Sequence, residues 1–146
     1  MKQKMIDFLL ARGNPSIQLR VKKEVLHTIT PEEEKALQEQ ILTEKTVRFI
    51  GEKQLENGWI GLGFHGSSKN AGQYDNQETG TKYLGEKGLK GTTIYGICSV
   101  NIYDGEFRGW SPYFGAQLET DWRAKVRRQC DITFRALLIM HYAGVE

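Results

Sequence analysis

Three residues of this sequence have the types and spacing for acid–base chemistry. His65 sits in a glycine-rich loop beside Phe64, and Asp75 and Glu78 follow it within the next stretch. An imidazole near a carboxylate can accept and return a proton close to neutral pH. The same residues also have simpler uses, His65 as a backbone-bonding loop residue and Asp75 as the N-cap of a following helix. Aromatic side chains gather in the same region and again downstream: Trp59, Phe64 and Tyr74, then Trp110, Tyr113 and Phe114. If both groups open on one end of a helical layer, they line an apolar pocket for a small apolar ligand. Otherwise they close the core there.

Other constellations point to less. Cys98, Cys130, His65 and His141 show no ligand-pair spacing, so no metal is expected, and no residue pattern calls for a cofactor. Arg123, Lys125, Arg127 and Arg128 form a basic run suited to tracking phosphates, but Glu119, Asp121 and Asp131 balance it. A solvated helix face explains the run better than nucleic acid. The chain has 146 residues and a net charge of +2, which is enough length for one domain with its own core and too little charge to steer a partner by itself. No apolar run approaches the ~18–20 residues that span a bilayer, so no membrane segment is expected. The start, MKQKMIDFLL, is basic, but Asp7 and Arg12 interrupt it and no small-residue cleavage site follows. The expectation is a reduced, cytoplasmic protein without a signal peptide.

The elements that must position these residues read as helices. Met5–Leu10 forms a short apolar helix closed by Gly13. Asn14-Pro15 then opens another, with Asn as N-cap and Pro in the first turn. Ile17, Val21 and Val25 form one stripe of that helix, while Leu19 and Leu26 lie on its far side, as in stacked helical repeats. Thr30-Pro31-Glu32-Glu33 is a capping box, and Glu32, Glu33 and Glu34 sit at the positive end of the helix dipole. A break near Thr43, or one long helix, leads into Val47–Leu55. There Val47, Ile50, Gly51 and Gln54 share one face. An amide on a core-facing stripe needs hydrogen-bond partners, so Gln54 reads as a structural staple to free backbone groups, with Gly58 turning the chain beside Trp59.

Asp75 or Asn76 caps a helix over Gln77–Lys87 whose stripe is Gly80, Tyr83, Leu84 and Lys87, with Gly88 as its C′ residue. Residues 92–108 fit a helix through Ile94, Ile97, Cys98 and Ile102. Alternation and the turn Asp104-Gly105 also fit a short β-hairpin near 94–108; the helical neighbours favour helix. A last helix is expected from about Leu118 to Tyr142, with Trp122, Val126, Cys130, Leu137 and His141 on one face. Beyond residue 135 it is apolar nearly all round, so its end is expected to be buried, in a homo-oligomer for example.

The pattern Phe49-Ile50-x-x-x-Gln54-x-x-x-Gly58-Trp59 resembles the QW motif of the α/α-toroid proteins, the terpene-cyclase and protein-prenyltransferase-like helical barrels. In that motif Trp lies one residue beyond the position it has here. NPSIQLRVKKEVL, the segment Gln54 to His65, and YDNQETGTKYLGEKGL look more closely like the start of a group of bacterial prenyltransferase-like toroid proteins. The likeness covers roughly residues 5–90. It implies an all-α fold of antiparallel helical hairpins in two layers. A closed toroid takes about a dozen helices, and this length supplies about half of them at ordinary helix lengths, so the expectation is a partial toroid. The aspartate-rich acid motif of the cyclases and the zinc ligands of the prenyltransferases are absent, so the likeness implies fold rather than activity.

The leading functional expectation is a helical binding or interaction module with an aromatic-lined concave pocket. One alternative is a toroid-class enzyme using His65, Asp75 or Glu78. The other is a nucleic-acid-binding helical repeat using the last helix.

Overall fold

The structure, a computed structural model, describes residues 1–56, 58–63, 74–89, 118–119, 121 and 123–144. Every regular element among them is helical: α1 (Lys2–Arg12), α2 (Pro15–Arg20), a π-helical turn (Val21–Leu26), α3 (Pro31–Leu42), α4 (Lys45–Glu52), α5 (Gln77–Glu86) and α6 (Lys125–Tyr142). No helix among these residues is long and apolar enough to cross a membrane. The chain divides into two compact units. The first holds Met1–Gln40 with the described part of Trp110–Glu146, and the second the described part of Ile41–Gly109.

In the first unit, α1 packs on α6. Ile6, Leu9, Ile17, Val21, Leu118, Cys130, Phe134 and Leu137 form one buried cluster. Local chemistry sets the corner between α1 and α2. Asn14 Oδ1 accepts from the Ile17 amide at 3.0 Å, and Pro15, which lacks an N–H, occupies the first turn where none is needed.

After Arg20 the helix widens into the π-helical turn, where the sequence suggested an uninterrupted α-helix. Two ion pairs tie this turn to the first turn of α3: Lys22 to Glu33 at 2.5 Å and Lys23 to Glu34 at 3.0 Å. The turn ends at His27, which holds left-handed backbone at φ 54°. The hydroxyl of Thr30 accepts from the Glu33 amide at 3.2 Å, which opens α3. The carboxylate of Glu33 is turned to Lys22, and this ion pair lowers its pKa.

α6 begins at Lys125, not near Leu118. The expected first turns are diverted by side chains that capture backbone donors. Asp131 takes the amides of Leu118 and Glu119, and Asp121 takes that of Arg123 at 3.1 Å. Along α6, Cys130, Phe134 and Leu137 are buried, whereas Val126 is 43% exposed and His141 half-buried. At its far end Ile139 is 43% and Tyr142 61% exposed in the single chain.

In the second unit, α4 ends at Glu52, before Gln54. Gln54 instead forms a single antiparallel bridge with Ile60. The amides of Leu55 and Gly61 donate to the carbonyls of Trp59 and Lys53 at 2.8 and 2.9 Å, folding the segment back on itself. Gly61 has φ +66°, and a Cβ there would lie 1.9 Å from the Asp75 carbonyl oxygen, so this close approach admits only glycine. α5 is capped by Asn76, whose Oδ1 accepts from the Thr79 amide at 3.0 Å, and not by Asp75. At its other end Gly88 has φ 82°, and the amides of Gly88 and Leu89 return to the carbonyls of Gly85 and Leu84. The break between α3 and α4 falls at Thr43 and Glu44. Residues 92–108, left open between helix and hairpin, lie outside the described residues.

Candidate functional site

Two buried polar clusters and one exposed seam stand out, and each lies within a single unit. The first cluster belongs to the second unit. Lys87 is the C-cap residue of α5, and its side chain is fully buried. A buried ammonium must be matched by an anion, and Glu44, just ahead of α4, lies 2.5 Å away with its side chain 10% exposed. The Tyr83 ring lies beneath the same ammonium, 5.3 Å from its centroid to Nζ, and Tyr74 packs on Tyr83 at 4.3 Å between centroids. Burial, with the Glu86 carboxylate nearby, pushes the Tyr74 hydroxyl above the ordinary phenol range. The Lys87 and Glu44 charges thus face each other within the fold.

The joint between α4 and α5 lies in the same unit. Gln54 is half-buried, and its Nε2 donates to the Gly58 carbonyl at 3.0 Å, closing its own loop. The longer link runs through Gln77, 1% exposed, whose Oε1 accepts from the Ile60 amide at 2.7 Å. Sequence reasoning passed over Gln77. Its signal was a polar residue at the start of a helix that is buried on most sides.

The second cluster is a clasp in the first unit. Asp131, fully buried on α6, accepts from the amides of Leu118 at 3.1 Å and Glu119 at 3.2 Å. Glu119, 3% exposed, accepts from the Asn14 amide at 2.9 Å and meets Arg127 at 3.4 Å. Asn14 in turn donates to the Leu118 carbonyl. Carboxylates that accept from backbone donors thus close the 118–119 turn on α6 and on the corner at Asn14, more than a hundred residues away.

Cys130 sits against this clasp. Burial, followed by the Glu119 carboxylate, raises its thiol from the ordinary value of 9.0 to about 11. The folded chain therefore keeps the thiol proton where the unfolded chain loses it. The Cys130 contribution to stability should be constant well below pH 9 and fall as pH rises toward 11, by about 1.4 kcal/mol per pH unit at most. Iodoacetamide at pH 8 should label Cys130 far more slowly in the folded chain than in urea, read by peptide mass spectrometry that separates it from Cys98. Equal labelling rates in the two states would contradict this.

The remaining sequence candidates fall as follows. Asp75 is half-buried and Glu78 exposed, while His65 lies outside the described residues. Trp59 is 37% exposed and Tyr74 half-buried against Tyr83. Phe64, Trp110, Tyr113 and Phe114 lie outside the described residues, as does Cys98. Among the described residues, no group of three His, Cys, Asp or Glu side chains is placed to hold a metal ion. In the basic run, Arg127 pairs with Glu119 and donates to the Arg12 carbonyl at 3.0 Å, and Arg128 donates to the Arg123 carbonyl at 2.9 Å. A shallow open hollow of about 310 Å³ lies along α4, lined by Thr43, Lys45, Arg48, Phe49 and Glu52.

The seam is on the outer side of α6. Ile132 is 59%, Ile139 43% and Tyr142 61% exposed. At helical spacing these residues share one face with Arg128 and Arg135, opposite buried Cys130 and Phe134. No protein-family model matches this chain, and neither a curated protein nor a solved structure does.

Proposed function

We propose that the chain is a helical interaction module, of the partial α/α-toroid kind its glycine–tryptophan loop resembles, and that it docks a partner on the outer face of α6. One observation carries this reading. Ile132, Ile139 and Tyr142 stand exposed on the face turned away from the core. A folded domain gains nothing by holding large apolar groups in water, and an apolar stripe rimmed by charge is the usual form of a helix-binding surface.

The buried clusters support the same reading from the other side. Lys87 pairs with Glu44, and Asp131 accepts from two backbone amides, so these buried charges are engaged within the fold. Asp75 and Glu78, the described members of the acid–base set, lie on neither buried cluster.

If the seam serves a partner, it contributes little to the chain's own stability. Ile132→Ser combined with Ile139→Ser should shift the unfolding free energy by no more than about 0.5 kcal/mol in a urea titration followed by circular dichroism. A loss above about 2 kcal/mol would mean that these side chains pack within their own chain, and the reading would fall.

A further inference from the structure

Two of the chain's three histidines meet at one end of the first unit. His27 closes the π-helical turn, and His141 lies in the last turn of α6. The π-helical turn packs on α6 and brings the two ring centroids to 6.3 Å, with the ring planes 53° apart. His27 is exposed and His141 half-buried, so solvent reaches the pair. Among the described residues, neither imidazole is held by a hydrogen bond or an ion pair, so their ring nitrogens are available to a ligand.

The separation suits a shared metal ion. An imidazole nitrogen binds zinc at about 2.1 Å, which places the ring centroid about 3.2 Å from the metal. Two such rings stand about 5 Å apart at a tetrahedral angle and about 6.4 Å apart when opposed across the ion. The observed spacing falls within that range, and the exposed His27 ring can turn to narrow it.

The surroundings favour a cation. Both residues sit at the carbonyl ends of helical segments, where the partial negative charge attracts positive ions. The lysines of the π-helical turn, Lys22 and Lys23, are matched by Glu33 and Glu34, so their charges are compensated. His27 is also the one described residue other than glycine with a positive φ, at 54°. Backbone held in such a conformation recurs at ligand sites.

We propose that His27 and His141 bind one divalent cation of the zinc, nickel and copper class between the π-helical turn and the end of α6. Neutral imidazole suits these ions, whereas calcium and magnesium take oxygen ligands. No third His, Cys, Asp or Glu among the described residues joins the pair, so water or an exchangeable ligand completes the coordination. The sequence hid the pair because its members lie on different elements far apart in the chain. The site stands independently of the docking reading above.

The test follows the histidine ring signals by NMR while zinc chloride is added to the full chain. The rings of His27 and His141 should shift together on one binding curve, and that of His65, the third histidine, should not shift. His27→Asn should weaken zinc binding at least about tenfold by calorimetry, and His141→Ala should do the same. Asparagine accepts left-handed backbone, so His27→Asn should keep the parent's circular dichroism. Magnesium chloride should shift neither ring. Shifts of any other set of rings, or none at millimolar zinc, overturn the site. So does unchanged affinity in either variant, or a response to magnesium equal to that to zinc.

Discussion

Replacing Lys87 with methionine should cost about 3–5 kcal/mol of unfolding free energy, the largest loss expected from any single substitution in the second unit. The aliphatic part of the side chain survives in methionine, so little packing is lost. What is lost is the counter-charge to Glu44. That carboxylate is nine-tenths buried, and among the described residues its second oxygen, Oε1, has no hydrogen-bond partner. A buried anion deprived of its cation keeps its whole desolvation penalty. The companion prediction separates this cause from simple misfit. Glu44→Gln combined with Lys87→Met removes both charges, and the double variant should recover at least half of the single variant's loss. Chemical denaturation of the four proteins of this cycle gives the coupling directly. A double variant as unstable as the sum of its parts would mean that the pair is not what holds this end of α5.

Asp131→Ala should cost a comparable amount, about 3 kcal/mol, for a different reason. Asp131 holds the backbone of a turn. It accepts from two backbone amides, Leu118 and Glu119, at a fully buried position. Each hydrogen bond from a neutral donor to a charged acceptor contributes about 1.5–3 kcal/mol, and alanine leaves both donors without this acceptor. Asp131→Asn keeps one carbonyl acceptor of the same shape and should fall about midway. Both variants should also loosen the Asn14 corner, because Glu119 and the Leu118 carbonyl reach Asn14 only while their turn is held. Thermal unfolding by calorimetry measures the loss. A shift below about 1 kcal/mol for the alanine variant would show that the 118–119 turn is held by something else.

The sequence was most legible where structure depends on neighbours a few residues apart. Asn14-Pro15, the Thr30 cap and Gly88 could be read because capping is a short-range exchange between one side chain and the next turn. The stripe Gly80, Tyr83, Leu84 and Lys87 followed from helical spacing, although a lysine on it was not a reason to expect a fully buried charge.

The reading failed where a distant partner decides the outcome. The start of α6 was placed too early because nothing local shows that Asp131 captures the amides of residues 118 and 119. Gln54 was placed on a helix stripe, but α4 stops first and the buried link to α5 passes to Gln77, whose partner Ile60 lies across the loop. Asp75 and Asn76 were equal candidates for one cap, and the tie was broken by Asn76. The π-helical turn was invisible because it is tied to α3 by ion pairs reaching from Lys22 and Lys23 to Glu33 and Glu34.

Hydrogen–deuterium exchange of the full chain, with and without a helical peptide carrying leucine at heptad spacing, tests the interaction reading most directly. The expected result is slower exchange of amides in residues 125–142, with the α4–α5 joint and the Lys87–Glu44 pair unchanged. Protection centred on residues 54–61 or 77–87 instead, or none at saturating peptide, would contradict it.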